Sequence, residues 1–156
     1  MKTLIIGGTG LIGAEIARLM NSNGHEITLM SRNSTSNPTL SEYNHITHDY
    51  IHDDISTDVL DEFDWLVFSA AADIRMLPEG HNEETFFMHA NGNRVPYFFE
   101  KAAQSKIKKA VYIGTWYPVV VPDKIQTSSY VRSRFEADKL LRQYSNAEFE
   151  IVCLDA

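Results

Sequence analysis

Apolar runs, each bounded by polar or turn-forming positions, recur along the chain: TLIIG at 3–7, EITLM at 26–30, WLVFS at 65–69, AVYIG at 110–114 and FEIVCL at 149–154. Unbroken apolarity over so short a length is the pattern of a strand covered on both faces. HITH at 45–48 is a weaker candidate for a sixth. Between these runs the period changes. Ile12, Ile16, Leu19 and Met20 fall on one helical face, and Phe135, Leu140 and Leu141 mark an amphipathic segment that opens after Ser128 and Ser129. A further helical stretch covers 81–105, where Gly92 and Pro96 should kink or divide it. Strand and helix alternate throughout, which predicts an α/β fold: a doubly wound parallel sheet of about six strands, with right-handed crossovers and helices on both faces. The irregular stretches 31–44 and 116–127 are expected to be surface loops.

The 156 residues are the length of one ordinary domain, and with no repeat or linker among them, 1–156 is expected to fold as a unit. A composition 44% hydrophobic and 22% charged is that of a folded globular protein. The net charge of −7, with fourteen Lys and Arg in no long block, speaks against a nucleic-acid partner. Cys153 is the only cysteine, which excludes an internal disulfide and a cysteine-built zinc site and fits a reducing compartment, so a cytoplasmic location is expected. Glycines interrupt the first apolar stretch too early for a signal peptide or for a membrane span of about 20 residues.

The segment LIIGGTGLIGAEIARLM at 4–20 places Gly7, Gly10 and Gly13 at intervals of three between the first strand and the first helix. It also reads as Gly8-x-Gly10-x-x-Gly13. In a doubly wound sheet this turn leads into a helix whose free N–H groups and positive dipole end face an approaching anion, and a dinucleotide's pyrophosphate is such an anion. Glycine permits the turn and lets the main chain touch the phosphates. Thr9, Leu11 and Ile12 share the turn and join Gly7, Gly10 and Gly13 as cofactor-binding candidates.

GGTGLIG, DWLVFSAAAD at 64–73, AN at 90–91 and YVRSR at 130–134 together resemble the extended short-chain dehydrogenase/reductase superfamily, the NAD(P)-dependent sugar epimerase/dehydratase group, whose cofactor domain is a Rossmann fold. The likeness covers almost all of this chain but about the N-terminal half of a usual member, so the substrate-binding C-terminal part is expected to be absent. The resemblance implies that Ala70, Ala71 and Ala72 line the cofactor cleft and that Asn91 holds a kink in the central helix. It implies further that Asp49, just past the third strand, contacts the adenine, with Asp54 a rival. At the end of the second strand Ser31 stands where an acidic residue would bind the ribose of NAD. Arg32 and Asn33 follow, and the arginine's planar fork suits the extra phosphate of NADP. NADP is therefore expected over NAD. HITHDYIHDD invites a metal reading through His45, His48 and His52 beside Asp49, Asp53 and Asp54. A strand would put His45 and His48 on opposite faces, so no metal is assigned.

Tyr130 and Arg134 lie four apart near the start of a predicted helix and point along one face. In the resembled family, the tyrosine of a Tyr-x-x-x-Lys motif exchanges a proton with the substrate oxygen while hydride passes to or from the nicotinamide. The lysine lowers the tyrosine's pKa and bonds the ribose. Here Arg134 replaces that lysine, keeping its charge but not its shape. A family serine or threonine that polarises the substrate carbonyl corresponds to Thr115. The implied function is NADP-dependent redox chemistry on a small carbonyl or sugar-nucleotide substrate, with Thr115, Tyr130 and Arg134 as catalytic residues and a fuller polypeptide or partner completing the pocket. Two alternatives stand beside it: an NADP-binding regulatory or redox-sensing module without turnover, and a fragment of a larger reductase. Pairing into a homodimer is a family habit that no residue pattern here requires.

Overall fold

The computed structural model describes residues 1–156. Six strands, β1 (Lys2–Ile6), β2 (Glu26–Ser31), β3 (Asn44–Thr47), β4 (Trp65–Phe68), β5 (Lys109–Gly114) and β6 (Glu150–Asp155), form one sheet in the order β3-β2-β1-β4-β5-β6. Every neighbouring pair is parallel. This is the Rossmann arrangement. The chain starts at the centre, winds outward through β2 and β3, then returns to β4 and winds the other way. The loops leaving β1 and β4 therefore diverge, and a crevice opens over their C-terminal ends. The central strands need apolar residues on both faces: Leu4, Ile5, Leu29, Leu66 and Phe68 are completely buried. The edge strands β3 and β6 have no fully buried position.

The helices are α1 (Leu11–Ser22), α2 (Thr57–Leu60), α3 (Glu83–Phe87), α4 (Arg94–Ala103), α5 (Tyr117–Val120), α6 (Lys124–Thr127) and α7 (Ser129–Tyr144). They cover the two faces unequally. One face carries an aromatic core in which Phe68 meets Phe98, Phe99 and Tyr112. The other is a smaller aliphatic layer of Ile5, Ala17, Ile27, Leu29, Leu40 and Val67.

Three expectations change here. The buried face of α1 is made by Gly13 and Ala17, while Ile12 and Leu19 are 46% and 56% exposed. The helix comes so near the first turn that a Cβ on Gly13 would collide with the Gly7 carbonyl, so small residues face inward. In α7 the buried side chains include Val131, Ala137 and Leu141, and Leu140 turns outward. The stretch 116–127 is not irregular but holds the single-turn helices α5 and α6, the first with Pro118 in its opening turn. Trp116 and Tyr117 stack there at 5.3 Å and 13°, both exposed. At the opposite end of the sheet Trp65 meets His25 edge-on at 5.2 Å.

The stretch 81–105 divides as expected. Between α3 and α4 a π-helical segment, Met88–Asn93, widens the turn before Pro96, which has no N–H to offer and whose ring would crowd a regular helix. The stretch 31–44 holds a 3₁₀ turn, Pro38–Leu40, capped by Asn37. No helix is long and apolar enough to cross a membrane.

Candidate functional site

The glycines after β1 do different work. Gly7 has φ +77°, the left-handed region that L side chains avoid, and a Cβ there would stand 2.8 Å from the Ala70 nitrogen. Its N–H donates to the Met30 carbonyl at 2.8 Å, and its own carbonyl accepts from Gly10 N–H at 3.0 Å. A Cβ on Gly13 would strike that same carbonyl and the Ser69 hydroxyl, and one on Gly8 would strike Leu29. These three are small so that strand, turn and helix can close on one another. Gly10 is different. A Cβ there would meet a single neighbour, the Gly7 carbonyl at 3.3 Å, so its bareness serves the outer surface.

Gly10 is also the N-cap of α1 and offers no side chain to it, whereas Ser56, Asn82 and Ser128 cap α2, α3 and α7 with hydrogen bonds. The opening amides of α1, those of Leu11 and Ile12 among them, are left to an external acceptor, and no acidic side chain in the first turn repels an anion.

Above this turn lies a cleft of about 780 Å³. Ile6, Met30, Ala70, Ala71 and Met76 give it an apolar lining, and Gly7, Thr9 and Gly10 form one wall. The loop after β2 forms another, with Ser31, Arg32, Asn33, Ser34, Thr35 and Ser36. The Ser31 hydroxyl lies 2.8 Å from the Asn33 carbonyl and 2.8 Å from His45 Nε2. A hydroxyl has one proton; given to the Asn33 carbonyl, it requires His45 to donate from Nε2. Arg32 beside it makes no ion pair. A bare main-chain turn, an uncapped helix, a rim of hydroxyls and an unpaired guanidinium suit a dinucleotide phosphate.

Eight of the expected cofactor residues thus meet in the cleft: Gly7, Thr9, Gly10, Ser31, Arg32, Asn33, Ala70 and Ala71. Leu11 and Ile12 line a neighbouring groove between α1 and the 37–43 loop. Gly13 lies beneath the turn. Asp49 does not line the cleft; it shapes the loop after β3, where its carboxylate accepts from Ile51 N–H at 3.0 Å and its own N–H donates to Asp53. Asp54 pairs with Arg94 at 3.0 Å, and Arg94 also donates to the Tyr50 carbonyl at 3.0 Å. The flanking residues face the cleft instead: His48 and Tyr50. Periodicity marks where β3 ends, not which neighbour turns inward. Burial holds the His48 imidazole below its usual pKa and pushes the Tyr50 hydroxyl well above its own.

Asn91 is fully buried in the π-helical segment. Its side-chain carbonyl accepts from Ala72 N–H at 3.0 Å, and its amide donates to the Ala72 carbonyl at 3.1 Å and to the Ser133 hydroxyl at 3.4 Å. It thereby fastens the loop after β4 to both the widened helix and α7. Thr115, Tyr130 and Arg134 lie outside the cleft lining, beyond the end of β5. Tyr130 packs edge-on against Phe87 at 5.5 Å. Arg134 is 4% exposed; it donates to the Ile113 carbonyl at 2.6 Å and lies 5.2 Å over the Tyr112 ring. Its Nε and Nη1 have no partner, nor do the Tyr50 and Tyr112 hydroxyls. Burial pushes Tyr112 up to about 12, against the pull of Arg134.

The fold is shared with solved enzymes. UDP-glucuronic acid 4-epimerase from Bacillus cereus, solved with NAD, matches with a TM-score of 0.76 at 18% identity over 99% of this chain and 56% of that one. A putative NADH-flavin reductase from Streptococcus pneumoniae matches at 0.71 and 17% identity over 98% of this chain and 70% of that one. Among curated proteins, the human epimerase family protein SDR39U1 is 53% identical over 32 residues, 20% of this chain and 11% of that protein. The chain spans about half the length of the epimerase and far less of the human protein. Residues 3–155 match the NAD dependent epimerase/dehydratase family, and the chain belongs to it.

Proposed function

We propose that this chain binds a nicotinamide dinucleotide in the cleft over β1, β2 and β4, and that the dinucleotide is NADP rather than NAD. The observation that carries the reading is Arg32: it stands in the cleft wall without an ion pair, directly after Ser31, where an acidic residue would bind a ribose diol. The bare turn at Gly10 and the uncapped end of α1 support the pyrophosphate half of the reading. Gly7, Thr9, Gly10, Leu11, Ile12 and Gly13 build the phosphate wall; Ser31, Arg32 and Asn33 take the adenosine ribose; Asp49, Ala70, Ala71, Ala72 and Asn91 shape the remainder. The Bacillus cereus epimerase was solved with NAD, so the preference for NADP rests on this chain's own rim. Titration with NADPH and NADH, followed by nicotinamide fluorescence, tests it: tighter NADPH binding is expected, and equal or preferential NADH binding defeats it.

The favoured activity is hydride transfer to or from a small carbonyl or sugar-nucleotide substrate. The Bacillus cereus neighbour, solved with UDP-glucuronic acid as well as NAD, supports that class. When bound, the nicotinamide supplies or accepts hydride. Tyr130 then exchanges a proton with the substrate oxygen, Thr115 donates a hydrogen bond that orients the carbonyl, and Arg134 supplies positive charge one helical turn from Tyr130. A pocket completed by further polypeptide or a partner is part of this proposal. Loss of carbonyl reduction in Tyr130→Phe, with nucleotide affinity retained, is the expected result.

A second reading is favoured by one observation. Arg134 is held by the Ile113 carbonyl and the Tyr112 ring rather than in the cleft wall. In that reading the dinucleotide is bound without turnover, as in a regulatory or redox-sensing module, and Tyr130→Phe changes nothing measurable.

A further inference from the structure

The cleft has a second arginine. Arg75 lies in a 3₁₀ turn, Ile74–Met76, and lines the same cleft as Arg32. Its guanidinium is forked onto Asp73: Nε donates to Oδ1 at 3.0 Å and Nη2 to Oδ2 at 2.6 Å. Asp73 is fixed in place, because its Oδ1 also accepts from the Arg75 backbone N–H at 2.8 Å and so caps the turn. Arg75 is not fixed. Its side chain is 86% exposed, with Asp73 its sole hydrogen-bonding partner. The Asp73 carboxyl is held below the usual carboxylate range, chiefly by that fork, and Arg32 contributes to the same effect, so this carboxylate senses both guanidinium groups.

An exposed pair of this kind is weakly held, since water competes for both partners. A phosphate dianion offers a guanidinium the same fork with twice the charge. Resting on the NADP reading above, we propose that Arg75 is a second specificity-determining residue: it exchanges Asp73 for the ribose 2′-phosphate and holds that group together with Arg32, which lines the same cleft. Asp73 parks Arg75 in the absence of the phosphate. It also keeps the rim from presenting two unpaired cations to unrelated anions. NAD, lacking the phosphate, leaves the Asp73–Arg75 pair in place and is held by the glycine turn and the ribose contacts alone.

The test is calorimetric binding of adenosine 2′,5′-bisphosphate and adenosine 5′-monophosphate, which differ by the 2′-phosphate alone. Wild type should bind the bisphosphate at least tenfold more tightly. Arg75→Gln should cut that ratio by roughly tenfold, the effect of one charged hydrogen-bonded contact, while leaving the monophosphate affinity within about twofold. Arg75→Lys, which keeps the charge but loses the fork, should fall between. Asp73→Asn keeps the capping oxygen and frees Arg75, and should raise bisphosphate affinity by up to about fivefold. A ratio unchanged in Arg75→Gln but collapsed in Arg32→Gln overturns the two-arginine clamp and leaves the NADP reading standing. A wild type without preference for the bisphosphate, or one that binds neither nucleotide, overturns both. Weaker bisphosphate binding in Asp73→Asn overturns the exchange of partners. Both side chains lie at the surface, so a thermal melt matching wild type separates these outcomes from misfolding.

Discussion

Asn91 and Ala72 are joined by two hydrogen bonds, at 3.0 and 3.1 Å, in which a side-chain amide satisfies both backbone groups of one residue. With Asn91 fully buried, no solvent can take its place. Asn91→Leu fills similar space but strands the Ala72 N–H and carbonyl, each costing about 1–3 kcal/mol. Urea unfolding should show a loss of about 2–4 kcal/mol. An unchanged midpoint would mean that the loop after β4 is held by something else.

The glycines should separate by phenotype. Gly7→Ala and Gly13→Ala each force a Cβ into main chain, at Ala70 and at the Gly7 carbonyl respectively, so both should lower stability by at least about 1–3 kcal/mol. Gly10→Ala meets little, so its stability should stay within about 1 kcal/mol of wild type while nucleotide affinity falls at least roughly tenfold. Parallel urea and fluorescence titrations check both halves.

Arg134 is a buried cation with one backbone acceptor, one aromatic ring and no carboxylate. Replacing such a group by an apolar side chain of similar length relieves desolvation, so Arg134→Met should fold more stably, by about 1–2 kcal/mol. A stabilised variant with weakened dinucleotide binding would show that the charge is kept for function. A destabilised one would assign Arg134 to the fold.

His48 sets a pH dependence. Burial depresses its folded pKa below the ordinary histidine value of 6.5, so between the two values the unfolded chain holds more protons than the folded one. Its contribution is therefore present above about pH 6.5 and is lost as pH falls through that value toward the folded pKa. Unfolding free energies across pH 5 to 8 should drop on the acid side, and His48→Gln should flatten that drop.

Much of this architecture is legible in the sequence, because buried parallel strands must be apolar on both faces and a phosphate turn must be bare. TLIIG and EITLM announce β1 and β2, and the spacing of Gly7, Gly10 and Gly13 announces the turn between them. Other features are set by three-dimensional packing. Ile12 and Leu19 suggest the wrong face of α1, since hydrophobic periodicity does not register how near a helix sits to its sheet. Only that nearness explains why Gly13 and Ala17 face inward. Tyr50, Arg75 and the cleft-facing placement of His48 escape notice for a related reason: a loop residue's direction depends on the contacts that hold the loop, such as Arg94 on the Tyr50 carbonyl. The substitution of Arg134 for a lysine is plain in YVRSR, yet its attachment to Ile113 depends on how deeply α7 settles over β5.

The two tryptophans, Trp65 at the entry of β4 and Trp116 beyond the exit of β5, give the protein a pair of natural optical reporters at opposite poles. Emission from the first follows loss of the native sheet, whereas the second, stacked on Tyr117 in the open, follows the segment beyond β5 in which it sits. One spectrum can then distinguish a local rearrangement beyond β5 from denaturation with no dye attached.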